Sequence, residues 1–244
     1  MPQPGDVFYL PVQEGERTDP AKGDRPWVVL ADASATADIV TVVYGSTKPT
    51  EAFHGAAHVL IDPLAGHHRR TGLSAPTYVY PSRLASYPPD AFGTAAGNVA
   101  DELPLLRNGL RTALGFGRGV TREPNLPRSN VRGRIVRLTG PAASYTGYEL
   151  ALVITEPGYS RRNRQQTVVP VLPGEDYEPA GHDLFFPDPE WSGAVGRRFG
   201  TAILAIPMVV TLFAPDWFGD YTDAVVSPGA MYRVESALAD YFGL

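Results

Sequence analysis

The sequence predicts a mainly β protein with closing helices, arranged as two small domains in tandem. Three observations carry this. Gly (25) and Pro (24) together are about a fifth of the chain, which favours many short strands joined by turns. Apolar residues alternate over short runs rich in Val, Ile and Tyr. Four segments also recur in the same order, at offsets of 124 to 128 residues. "PGDVFYLPV" (4–12) matches "RGRIVRLTG" (132–140), and "RPWVVLAD" (25–32) matches "ELALVITE" (149–156). "DIVTVVYGS" (38–46) matches "QQTVVPVLP" (165–173), and "LRTALGFG" (110–117) matches "LADYFGL" (238–244). The expected division is one copy at 1–117, a linker at 118–131 and a second copy at 132–244.

In the first copy, the segments at 4–12, 25–32 and 38–46 read as strands. Tight hairpin pairs such as Asn-Gly are absent, so longer loops connect them. "APTYVYPSRLASYP" (75–88) reads as a fourth strand followed by a short connection. "ADELPLLRNGLRTALGF" (100–116) is a helix, with Leu103, Leu106, Leu110 and Leu114 at helical spacing and Pro104 in its first turn. "GRGVTREPNLPRSN" (117–130) has Gly, Pro and Arg without periodicity and reads as linker. The second copy repeats the three strands, with "AILAIPMVVTLF" (202–213) as counterpart of the fourth. It closes in a helix opened by Ser227 and Pro228, with Met231, Val234, Leu238 and Tyr241 on one stripe.

Composition narrows the function classes. With 244 residues and 43% hydrophobic content, each half can bury a core. The chain has no Cys, which excludes disulfides and thiolate metal sites. "MPQPGDVFYLP" lacks a basic segment followed by an apolar core, so no secretion signal is expected. The most apolar stretch, 200–215, contains a proline and falls short of the roughly 20 residues that span a bilayer. The expectation is a soluble, cytoplasmic protein without a membrane partner. A net charge of −5 argues against a general nucleic-acid coat and leaves room for a local basic groove.

Several landmarks of the first copy resemble the MazF/PemK family of toxins from bacterial toxin–antitoxin systems. They are Gly5-Asp6-Val7 opening a strand, Arg25-Pro26 before the aliphatic run Trp27 to Leu30, and Val40 to Thr47 ending in a hydroxyl-bearing turn. The Arg83 region and the helix ending Leu114-Gly115 complete the set. The resemblance covers most of 4–117 and is weaker in 132–244, where the apolar pattern and the ending "ALADYFGL" carry it. It implies a small Src-homology-like barrel with added helices, normally a homodimer, that cuts single-stranded RNA without metal or other cofactor and leaves a cyclic phosphate. The fused copies would then form an intramolecular pseudo-dimer, with association favoured by effective concentration. An antitoxin protein is the further partner implied.

The resemblance also nominates residues. Metal-free RNA cleavage needs help for the 2′-hydroxyl, donors for the charged phosphorane and an acid for the leaving oxygen. Arg25 falls on the family's catalytic arginine, and its fork suits phosphate oxygens; alternatively it pairs with Asp24 at a strand start. The family's catalytic threonine falls on Gly45, with Ser46 and Thr47 one and two places later, where ordinary turn chemistry is the other reading. Arg83 aligns with a later family arginine that binds phosphate, or it ends a strand. Lys48 adds charge, His54 is a candidate proton donor, and Arg69 and Arg70 in "GHHRRTG" form a basic loop that meets RNA backbone or solvent. Tyr44, Phe53, Tyr78 and Tyr80 are candidates to stack on bases, against a core role. His67 and His68 lack a carboxylate partner at ligand spacing, so no metal site is expected.

The second copy departs from this pattern. Glu149 stands where Arg25 stands, Leu150 replaces Pro26, and "PVLP" replaces the hydroxyl-bearing turn. A carboxylate 4 Å from a phosphate is repelled by about 1 kcal/mol even at bulk-water dielectric. Arg161, Arg162 and Arg164 form a new basic loop there, for a polyanion or for solvent. The expected function is therefore a toxin-like endoribonuclease with at most one active site. The alternative is a catalytically inactive barrel pair that binds a protein target or acts as a regulatory module.

Overall fold

A computed structural model of the chain describes residues 1–11, 23–32, 39–49, 58–65, 70–117, 132–139, 143, 147–155, 166–173, 184–187, 201–204, 210–212 and 218–244. At 173, 185–187, 201–204, 210–212 and 218–224 it describes the backbone. The fold is mainly β: two antiparallel sheets, each followed by a helix.

The first sheet comprises β1 (Asp6–Leu10), β2 (Arg25–Ala31), β3 (Val40–Ser46), β4 (Val59–Ile61), β5 (Thr77–Tyr87) and β6 (Gly97–Asn98). Its spatial order is β4-β5-β3-β2-β1-β6. Helix α1 (Leu103–Leu114) follows. The second sheet comprises β7 (Arg134–Leu138), β8 (Leu150–Val153), β9 (Gln166–Pro173), β10 (Leu184–Pro187), β11 (Thr201–Leu204), β12 (Val210–Leu212) and β13 (Phe218–Val225). Its order is β10-β11-β9-β8-β7-β13, with β12 also paired to β9. Helix α2 (Pro228–Phe242) follows.

The two ladders match pair by pair. Val7 faces Val28 as Ile135 faces Leu152, and Val28 faces Val43 as Leu152 faces Val169. Gly45 faces Val79 as Val171 faces Leu204, and Val59 faces Val79 as Leu184 faces Leu204. The strand beside β3 carries three residues that break its register, Pro81 to Arg83. Opposite β9, five residues separate Leu204 of β11 from Val210 of β12 where two separate their partners Val171 and Val168, the same three-residue excess. The sheet entries match too. Gly5 N–H donates to Val29 at 2.9 Å and Gly133 N–H to Val153 at 2.8 Å. Both glycines have positive φ, 93° and 87°, and a Cβ on Gly5 would lie 2.8 Å from the Ala100 backbone.

Each helix starts and stops for local reasons. Proline occupies the first turn of both. Ser227 Oγ accepts the Ala230 N–H at 3.1 Å, capping α2. Gly115 and Gly243 end the helices in the left-handed region. The following N–H groups, of Phe116 and Leu244, bond back to Arg111 and Ala239 in the reverse turn usual at helix ends.

The two sheets turn equivalent faces to one continuous core. Val7, Val28, Val43 and Val79 from the first meet Ile135, Leu152, Val169 and Val171 from the second, together with Leu106, Leu110, Met231, Val234 and Leu238 from the helices. Polar bonds cross the same boundary. Thr41 Oγ1 and the Tyr241 hydroxyl lie 2.8 Å apart in the interior. Arg132, fully buried, donates from Nε to the carbonyls of Leu114 and Ile154 and pairs with Glu235 at 3.1 Å. The other Glu235 oxygen accepts the Gly117 N–H at 3.0 Å. Arg107, which occupies the Glu235 position in α1, reaches the α2 cap at Gly243.

The structure differs from the sequence reading in β5. The segment 75–88 reads as a strand and a connection, but the strand continues to Tyr87. Pro81 falls in the register break, where no ladder N–H is required of it. Arg83 therefore lies inside the strand and does not end it. The linker 118–131 lies outside the described residues.

Candidate functional site

The face of the first sheet turned away from the shared core carries the candidate residues in two cross-strand rows. Phe8 faces Trp27, Trp27 faces Tyr44, and Tyr44 faces Tyr80. Continuing the β4–β5 register by one residue sets His58 beside Tyr80. This is an aromatic row across four strands and the residue that precedes β4. Cross-strand neighbours share a face with Cβ atoms about 5 Å apart, and the rings meet accordingly. Trp27 and Tyr44 pack edge to face at 5.4 Å, and Tyr44 and Tyr80 stack at 6.4 Å. Tyr87 and Phe92 extend the cluster from the side.

The second row forms the rim. Leu10 faces Arg25, and Ser46 faces Tyr78, which faces Leu60. The register that pairs Trp27 with Tyr44 sets Arg25 opposite Ser46 two residues further on. Arg25, Ser46 and Tyr78 are each half-buried, and Leu60 is 47% exposed. The two first-named candidates, 21 positions apart in the chain, are thus direct neighbours.

Arg25 Nε is buried without a hydrogen bond. Among the described residues Arg25 has no ion-pair partner, and Asp24 is exposed beside it without bridging to it. Arg83, Arg107 and Arg134 have a buried Nε in the same state, so it is the position of Arg25 on the half-buried rim that sets it apart. Ser46 Oγ accepts the Lys48 N–H at 3.2 Å, which shapes the turn and leaves the hydroxyl hydrogen available. Thr47 and Lys48 are exposed in that turn. The Tyr80 hydroxyl donates to the Lys48 carbonyl at 3.4 Å and ties the turn to the aromatic row.

Arg83 is only 4% exposed. Its guanidinium lies 3.7 Å from the centre of the Tyr44 ring, a cation–π contact with the buried aromatic row. Tyr44 and Tyr80 are likewise buried, which gives them a core role and leaves Tyr78 as the accessible tyrosine. Arg70 is exposed, and its carbonyl accepts the Asn98 N–H at 2.9 Å. His54, Phe53, Arg69, His67 and His68 lie outside the described residues, as do Arg161, Arg162 and Arg164.

The matching positions of the second sheet hold different chemistry. Phe8, Trp27 and Tyr44 correspond to Val136, Ala151 and Pro170. Arg25, Ser46, Tyr78 and Leu60 correspond to Glu149, Leu172, Ile203 and Phe185. Glu149 pairs at 3.6 Å with Arg137, and both side chains are largely exposed. Among the described residues, no group of three or more His, Asp or Glu side chains is placed to share a metal ion. Nor is any described helix long and apolar enough to cross a membrane.

Sequence reasoning singled out Arg25 and Ser46 but missed His58 as a member of the aromatic row. Its signal is the β4–β5 register, which a three-residue strand does not announce. No protein-family model matches the chain, and no curated protein matches it.

Proposed function

We propose that the chain is a metal-independent endoribonuclease of the toxin type. In this reading it consists of two tandem copies of a small Src-homology-like barrel, held as an intramolecular pseudo-dimer, with one active site in the first copy. The observation that carries the proposal is the rim pair: an arginine beside a hydroxyl on the neighbouring strand, neither of them held by an ion pair or an acceptor among the described residues. Arg25 would hold two oxygens of the phosphorane as the 2′-hydroxyl attacks phosphorus and the 5′-oxygen departs, leaving a cyclic phosphate. Ser46 would donate to the same charge from the neighbouring strand, with Thr47 and Lys48 completing the anionic site from the turn. The matched ladders, the shared core and the reciprocal reach of Arg107 and Glu235 support the tandem reading. The acidic Glu149 at the matching place supports a single site.

The test is incubation of the purified chain with mixed single-stranded RNA in excess chelator. The expected result is cleavage that leaves cyclic phosphate ends and is lost in Arg25→Ala. Absence of cleavage, or cleavage unchanged in that variant, rejects the proposal. In that case capture of a protein target through the same rim becomes the reading to pursue.

A further inference from the structure

The rim row does not end at the proposed phosphate site. Beyond Ser46 it continues through Tyr78 to Leu60, with His58 beside both. The His58 ring meets Tyr78 at 5.6 Å, inclined by 64°, and Tyr80 at 6.3 Å. His58 is exposed and Tyr78 half-buried, while Leu60 presents nearly half its surface. Tyr80 and Tyr44 behind them are buried, and Arg83 packs against the Tyr44 ring. The accessible rings therefore sit on a rigid aromatic support. They are not loose surface residues.

We propose that the outer faces of His58 and Tyr78, with Leu60 beside them, form a shallow, open stacking slot for one nucleobase of the RNA strand whose phosphate lies at Arg25 and Ser46. This rests on the function proposed above and adds to it the place where a base is held. Adjacent strands are about 4.8 Å apart, so the slot begins one strand spacing from Ser46 and ends two spacings away. That is roughly 5–10 Å, the reach from a phosphate to a base of the same strand. The occupant follows from charge as well as shape. Arg25 and Lys48 place cations at one end of the row, and the slot itself carries rings and an aliphatic side chain. An anionic backbone with a flat apolar appendage fits both ends, and stacking of this kind tolerates any base. The matching positions of the second sheet carry different residues: Ile203 and Phe185 stand where Tyr78 and Leu60 stand.

The experiment measures affinity for short single-stranded 2′-O-methyl oligonucleotides, which bind without being cut, across a salt series. Loss of one stacked base weakens binding by about tenfold or more. His58→Ala and Tyr78→Ala are expected to show that loss with an unchanged salt slope, and His58→Phe and Tyr78→Phe to restore affinity. Arg25→Ala is expected to lower the salt slope by about one. An oligonucleotide with one abasic position in register with the slot should bind wild type and His58→Ala equally. If Arg25→Ala weakens binding while both alanine variants match wild type, the slot is overturned and the phosphate site stands. If the wild type binds no oligonucleotide, both fall.

Discussion

The two sheets share a backbone plan and differ in what they display on it. Ladder pairs, sheet entries and the glycine caps that end the helices correspond from β1 to α1 and from β7 to α2, and the core faces of both are aliphatic. The outward faces diverge. The first carries Trp27, Tyr44, Arg25 and Ser46, where the second carries Ala151, Pro170, Glu149 and Leu172. A sheet needs its hydrogen-bond ladder and its buried face to keep its register, because a slip of one residue would turn the whole apolar set outward. Trp27 and Tyr44 are themselves buried in a second apolar cluster, as Ala151 and Leu172 are buried in the second sheet, so packing accounts for them. The half-buried or exposed rim is under less demand from folding, and there Arg25 and Ser46 occur in the first sheet alone. That rim difference is open to a functional explanation.

The largest expected effect tests whether the two sheets stand or fall together. Arg132 and Glu235 form a buried pair between the start of the second sheet and α2, and both also bond to the end of α1. Removing one partner of such a pair strands the other charge and costs about 3–5 kcal/mol. Arg132→Ala should lower the denaturant midpoint by a corresponding amount and keep a single transition monitored by tryptophan fluorescence, from Trp27, Trp191 and Trp217, and by far-ultraviolet dichroism. Two separated transitions would show that the halves fold independently, and the shared core would then be a weak contact.

Next in size is the contrast at the rim. Arg25→Ala should lower RNA cleavage by about a hundredfold to a thousandfold, the usual effect of losing a donor to a developing oxyanion. Glu149→Ala, at the equivalent place in the second sheet, should leave the rate within about twofold, since a change of 1.4 kcal/mol is needed for a factor of ten. Equal losses in the two variants would mean that both sheets contribute to one site.

The bond between Thr41 and Tyr241 joins the halves inside the core and is smaller in effect. Burial is the main cause that raises the Tyr241 phenol from 10.0 to about 12; the Thr41 hydrogen bond opposes the shift and Asp32 adds to it. A phenol protonated more tightly when folded has its full stabilising effect below pH 10. That effect is lost as pH rises towards 12, because the unfolded chain releases its proton first. At neutral pH, Tyr241→Phe should cost about 1 kcal/mol, the usual net worth of one hydrogen bond. The variant should also show a shallower loss of stability between pH 10 and 12 in chemical denaturation. An identical slope in both proteins would exclude Tyr241 as the titrating group.

Much of the scaffold is legible in the sequence because strands and helices of ordinary length leave periodic traces. β1, β2, β3, β7, β8 and β9 fall within the apolar runs that define the internal matches, and both helices end at a Leu-Gly or Phe-Gly signal. β4 and β6, of three and two residues, are too short for any period to appear. β13 alternates poorly because Gly219, Asp220 and Asp223 interrupt it and its pairing with β7 slips twice. The neighbouring positions of Arg25 and Ser46 are invisible for another reason: only the β2–β3 register relates them. Arg132 reads as one more charge near a basic linker. Its burial depends on Glu235, more than a hundred residues away.

The smallest expected effect is also the sharpest contrast between the two outward faces. Glu149 has a partner, Arg137, at 3.6 Å, with side-chain exposures of 67% and 42%. A pair in that setting is screened by water and salt, and the ordering of two long side chains offsets most of the attraction. Arg137→Ala should therefore change the unfolding free energy by no more than about 0.5 kcal/mol, with the difference vanishing as salt is raised. A cost well above 1 kcal/mol would mean that the Glu149 rim is held as firmly as the core beneath it. The acidic residue would then be a maintained feature of the second sheet, and its charge would need a partner or ligand of its own to explain it.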